Sequence, residues 1–143
     1  MKTIVMVLIF GLLAVPAMAQ THDPFDGQIP GQETWFSTFS IIAFDPATNE
    51  LGVGVQSRAF GAGAIVPYVE AGVGAVASQA AANRTYGPKA IALLKQGLTP
   101  EQVIKQITDD DPGRDTRQVA VIDTKGRMAS YTGKRVIDRR AGH

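Results

Sequence analysis

The chain has 143 residues, with 14 Lys and Arg against 13 Asp and Glu, a net charge of +1. So small a charge gives no general pull toward nucleic acid or an anionic membrane. Cysteine is absent, which excludes disulfides, thiolate metal sites and cysteine nucleophiles, and leaves stability to an ordinary apolar core.

Residues 1–19 read as a cleavable export signal. Lys2 supplies the positive start, Ile4 to Val15 the apolar core, Pro16 a break, and Ala17-Met18-Ala19 the small-x-small cleavage site. The apolar run falls short of the roughly 20 residues that span a bilayer. Cleavage after Ala19 leaves 124 residues, enough for one domain, expected outside the cytoplasm (periplasmic or extracellular) and free of the membrane. Residues 20–37 hold two prolines and two glycines with little periodicity, and read as a linker or pro-segment.

From Thr38 the pattern changes. Phe39 to Phe44 is nearly continuously apolar, which predicts a strand covered on both faces. Asp45-Pro46 and Asn49 form a turn. Leu51, Val53 and Val55 then alternate with Gly52 and Gly54 in a second strand, whose bare face invites close approach by a backbone or a ligand. Phe60 to Gly63 is a loop. Ile65 to Val69 and Val73 to Ser78 are two further strands around Ala71-Gly72, the second rich in small residues.

Pro88, Ile91, Leu93, Leu94 and Gly97 mark a helix and its end. Thr99-Pro100-Glu101-Gln102 reads as a capping box opening a second helix, with Val103, Ile104 and Ile107 as its apolar stripe. Asp109 to Gly113 stops it. Gln118 to Asp123 and Met128 to Thr132 form a last hairpin. Four strands, two helices and two strands make an α+β layered fold.

Little catalytic vocabulary is available. His22 and His143 are the only histidines, far apart in sequence, so a Ser-His-Asp triad and histidine metal spacings are not expected. Asp109, Asp110, Asp111 and Asp115 lack the EF-hand pattern and read as a turn. No metal or cofactor is expected. Thr38 opens the first strong strand directly after a removable linker. A threonine at a free N-terminus is a nucleophile whose own α-amine takes the hydroxyl proton.

Thr38 to Ala43, Glu50 to Arg58, Ala71 to Gln79, Asn83, Tyr86-Gly87-Pro88, Asp111 to Asp115, Arg117-Gln118 and Ala141-Gly142-His143 resemble, in order and spacing, the family called domain of unknown function 1028. The resemblance runs from Thr38 to the last residue. It implies an N-terminal-nucleophile hydrolase-like domain over residues 38–143, an α-β-β-α sandwich of which this chain carries the front portion. It implies amide hydrolysis of a small-molecule or peptide-like substrate, with Thr38 as nucleophile once the Ser37–Thr38 bond is cut. Arg58 would assist, and Ser57, Ser78, Gln79 and Asn83 would supply oxyanion or substrate contacts. Family members continue past the Gly-His of this chain, which implies a homo-oligomer or a missing C-terminal partner segment. The alternative is a non-catalytic exported binding or assembly module with the same fold.

Overall fold

The computed structural model describes residues 38–136. The predicted export signal and linker, and the C-terminal Ala141-Gly142-His143, lie outside the described residues. Six strands and two α-helices follow in the expected order: β1 (Phe39–Asp45), β2 (Glu50–Gln56), β3 (Pro67–Glu70), β4 (Gly74–Ala80), α1 (Tyr86–Lys95), α2 (Pro100–Asp109), β5 (Arg117–Asp123) and β6 (Met128–Thr132). They make two antiparallel sheets, the hairpin β1-β2 and a four-stranded sheet in the order β3-β4-β5-β6.

The four-stranded sheet is the middle layer. Along β4, Val76 faces the helices and joins Val119 and Val121 of β5 in a core with Tyr86, Ala90, Ile91, Leu94, Val103, Ile104 and Ile107. The alternate positions Ala75, Ala77 and Gln79, with their β5 partners Ile122, Ala120 and Gln118, face the hairpin. Ala75 and Ala77 are buried, and their small side chains let the two sheets approach closely. Among the described residues both helices lie on one side, so the layers run hairpin, sheet, helices.

The helix punctuation acts as its chemistry requires. Thr99 Oγ1 accepts from Gln102 N–H at 3.4 Å, and Gln102 Oε1 accepts from Thr99 N–H at 2.8 Å, satisfying two end donors that the helix itself leaves open. Gly97, at φ +90°, leaves α1 through the left-handed conformation that a glycine adopts without strain. In the β5-β6 turn, Asp123 accepts from Lys125 N–H, Arg127 N–H and Arg127 Nε.

The first strand departs from expectation. Its burial alternates: Phe39 is 63% and Ile41 57% exposed, while Ser40, Ile42 and Phe44 point inward. On the bare face of β2 a Cβ built on Gly52 would meet nothing within 4 Å, and one on Gly54 would meet only the Ile41 side chain of its own hairpin, at 3.3 Å. An unbroken apolar run reports what a strand tolerates on each face, not whether a layer covers both.

Candidate functional site

Thr38 precedes β1 and extends its alternation, so its side chain shares the inward face with Ser40. Phe39 pairs with Gln56, which places Ser57 opposite Thr38. Their hydroxyl oxygens lie 3.1 Å apart. Ser57 Oγ also accepts from Ala59 N–H at 3.0 Å, which fixes its position. The hairpin register alone brings these two hydroxyls together at one end of the gap between the sheets.

Beside them a chain of uncharged groups crosses the molecule. Ser40 Oγ donates to Gln79 Oε1 at 2.8 Å, Gln79 Nε2 donates to Gln118 Oε1 at 2.7 Å, and Gln118 Nε2 donates to Thr132 Oγ1 at 3.0 Å. Every link is partly buried, and together they tie β1 to β4, β5 and β6. Gln79, expected to supply an oxyanion or substrate contact, lies in this chain, bonded to Ser40 and Gln118. Ser40, Gln118 and Thr132 were not expected. Two-residue alternation from Thr38 could have found Ser40, but Gln118 becomes a neighbour only through the β4-β5 pairing, across two helices.

Ser78 is not brought to Thr38. Adjacent strand residues point to opposite faces, so with Gln79 facing the hairpin, Ser78 faces the helices. It is fully buried there, and its hydroxyl has no hydrogen-bond partner. Asn83 is also elsewhere. Its Oδ1 accepts from Thr85 N–H and Thr85 Oγ1 at 3.0 and 2.8 Å, a turn just before α1. Its Nδ2 donates to Asp111 Oδ2 at 3.2 Å. Arg58, just past β2, is exposed.

A second network centres on Asp111. It accepts from Asn83, from Tyr86 OH at 2.9 Å, from Gly113 N–H at 2.7 Å and from Arg117 Nε at 3.1 Å, while Arg117 also donates to Ala81 O. Burial pushes the Asp111 carboxyl up, but the hydrogen bonds outweigh it and hold the pKa down at about 2. Burial, then the neighbouring carboxylate, push the Tyr86 hydroxyl up. The cluster clamps the loops before α1 and after α2, so Asp111 secures a corner of the fold, while Asp109 pairs separately with Lys105 on the surface.

A mixed α+β protein of two antiparallel sheets and two helices, with paired hydroxyls where the sheets meet, defines the class. Residues 38–143 match the DUF1028 family, a family of unknown function, and the chain belongs to it. The chain is 34% identical to protein SPO2555 from Silicibacter pomeroyi, a DUF1028 crystal structure, with a TM-score of 0.69 over 71% of this chain and 48% of that one. It is also similar to a protein named 33 kDa chaperonin, 32% identical in Lacticaseibacillus casei (strain BL23) and 31% in Lacticaseibacillus paracasei. Each of those matches spans 110 residues, 71% of this chain and 37% of the relative. The chain therefore spans about half the length of the solved relative and little more than a third of the two named ones.

Proposed function

We propose that this protein is an exported amide hydrolase of the N-terminal-nucleophile type, built on the α-β-β-α sandwich, with Thr38 as its nucleophile. The observation that carries the reading is the inward-facing Thr38 hydroxyl, 3.1 Å from Ser57 Oγ, at the first residue of the family match. Cleavage ahead of Thr38 frees its α-amine, whose reference pKa of roughly 7.7–8.0 suits a base near neutral pH.

Thr38 Oγ1 attacks the amide carbonyl carbon while its proton passes to that amine. Ser57, already held by Ala59 N–H, donates a hydrogen bond to Thr38 Oγ1, keeps its proton throughout, and so leaves the threonine proton facing the amine. The carbonyl electron pair moves onto oxygen. Gln79 spends one amide hydrogen on Gln118 and offers the other to that oxyanion. Collapse breaks the C–N bond, and the leaving nitrogen takes the proton from the α-ammonium. Water, deprotonated by the same amine, then attacks the Thr38 ester; the C–O bond to Thr38 breaks, the ammonium returns its proton to Thr38 Oγ1, and the acid leaves.

The test is a protein whose first residue is Thr38, made by a fusion partner removed without a scar, compared with residues 20–143. The Thr38-start form is expected to hydrolyse amides, Thr38→Ser to retain activity and Thr38→Ala to lose it. Sequencing of the exported protein is expected to begin at Thr38. An intact Ser37–Thr38 bond in that form overturns the reading.

A second reading, a non-catalytic binding module, draws on exposed Phe39 and Ile41 and on the chaperonin name of two relatives. It predicts that residues 20–143 suppress light scattering by a heat-denatured reporter protein, with Thr38→Ala as effective as the parent.

A further inference from the structure

The loop between β2 and β3 is almost stripped of side chains. From residue 58 to 64 it reads Arg-Ala-Phe-Gly-Ala-Gly-Ala, so Arg58 and Phe60 are its only large groups. The loop is ordered by its own backbone: Ala64 N–H donates to Gly61 O at 2.9 Å and Val66 N–H to Ala62 O at 2.9 Å. At its start Ser57 Oγ holds Ala59 N–H, and Gly61 turns through φ +78°. This framework presents a phenyl ring that is 94% exposed.

A lone exposed apolar side chain is ordinary. This one is set apart by place and company. Its loop begins at the residue that touches Thr38, and it shares that loop with one unburied cation. Two residues of extended chain reach at most about 7 Å, a span that one small ligand can bridge. The interior wall, Ser40, Gln79, Gln118 and Thr132, carries no charge, which leaves Arg58 as the loop's group for an anion. A guanidinium grips a carboxylate through two parallel hydrogen bonds, and a phenyl ring covers an apolar or aromatic group.

We propose that Arg58 and Phe60 form a two-point clamp beside Thr38 for amides that carry a carboxylate on one side and an apolar acyl group on the other. The substrate class is the N-acyl amino acid. The inference rests on the hydrolase reading for its reaction: the amide C–N bond breaks, water supplies OH to the acyl carbon and H to nitrogen, and a carboxylic acid and an amino acid leave. Phe60 and Arg58 bind and orient, and carry no proton in the reaction.

Binding is measured first without turnover. In a protein that starts at residue 38 and bears Thr38→Ala and Phe60→Trp, tryptophan fluorescence is titrated with N-benzoylglycine, its methyl ester and N-acetylglycine. The benzoyl acid is expected to bind, and the ester and the acetyl compound about tenfold more weakly. Isothermal titration of Thr38→Ala, with and without Arg58→Gln or Phe60→Ala, is expected to show the same loss for each added change. In the Thr38-start enzyme, Arg58→Gln and Phe60→Ala are expected to raise KM for N-benzoylglycine about tenfold, with kcat within about twofold.

Binding with these dependences and no hydrolysis keeps the clamp and removes the hydrolase. Hydrolysis indifferent to both residues, or no binding of N-benzoylglycine, overturns the clamp. So does a Phe60→Ala change in sedimentation with ligand affinity unchanged, which makes the ring an assembly contact.

Discussion

The Asp111 carboxylate accepts four hydrogen bonds on two oxygens with its side chain only 11% exposed. Removing such an acceptor strands Tyr86 OH and the Arg117 guanidinium, and a stranded buried partner costs more than the bond was worth. Asp111→Asn is expected to destabilise the protein by about 2–4 kcal/mol in urea denaturation. The acid limb follows from the same contacts. The carboxyl falls from its ordinary 3.8 to about 2 on folding, so its contribution, about 2 kcal/mol, is complete above about pH 5 and lost as pH falls toward 2. Stability measured from pH 6 to pH 2 should decline less steeply in Asp111→Asn than in the parent. Equal slopes would mean that the carboxylate is not held as described. Ser78 is the opposite case. Its buried hydroxyl has no partner to lose, so Ser78→Ala is expected within about 1 kcal/mol of the parent or above it. A larger loss would reveal a hydrogen bond to water at that position.

At the scale of elements, Gly87 in α1 sets two effects against each other. Helix propensity favours alanine over glycine there by about 1 kcal/mol. A Cβ at Gly87, however, would sit 2.1 Å from the Tyr68 ring, and that ring is tethered by Tyr68 OH donating to Arg84 O at 3.2 Å. Overlap with an anchored aromatic outweighs propensity, so Gly87→Ala is expected to lose about 1–3 kcal/mol in thermal unfolding. A stabilised variant would show that Tyr68 can swing away. This contact was not legible in the sequence, where Pro88 marks a helix but nothing points to Tyr68. What was legible is chemistry acting over a few residues: the Thr99 capping box, the Gly97 exit and the β5-β6 hairpin. Two things were hidden. Gln79 meets Gln118 only because β5 joins β4 across two helices. The opposite faces of Ser78 and Gln79 need only strand alternation, but which face looks toward Thr38 depends on where the hairpin lands.

For the whole molecule, the three layers are unequally secured. The helix side of the middle sheet is closed, with Val76, Val103, Val119 and Val121 at 0 or 1% exposure. The hairpin lies on the other side by one face only. Its inward residues, Ile42 and Phe44 on β1 and Leu51, Val53 and Val55 on β2, are half-buried, and Ser40 is pinned to Gln79. Local opening is cheapest where few apolar groups are fully buried and backbone hydrogen bonds lie near solvent. The hairpin is therefore expected to open without unfolding the rest. Its backbone amides should exchange with deuterium about 100-fold faster than those of β4 and β5, and Ser40→Ala should widen the gap while leaving β4 and β5 unchanged. Uniform protection across all six strands would show a single cooperative unit instead. The looser layer is the one that carries Thr38 and the loop with Arg58 and Phe60. A ligand held between those groups and Gln79 bridges hairpin and sheet, so N-benzoylglycine added to Thr38→Ala is expected to slow exchange in the hairpin selectively, where a ligand bound anywhere else would not.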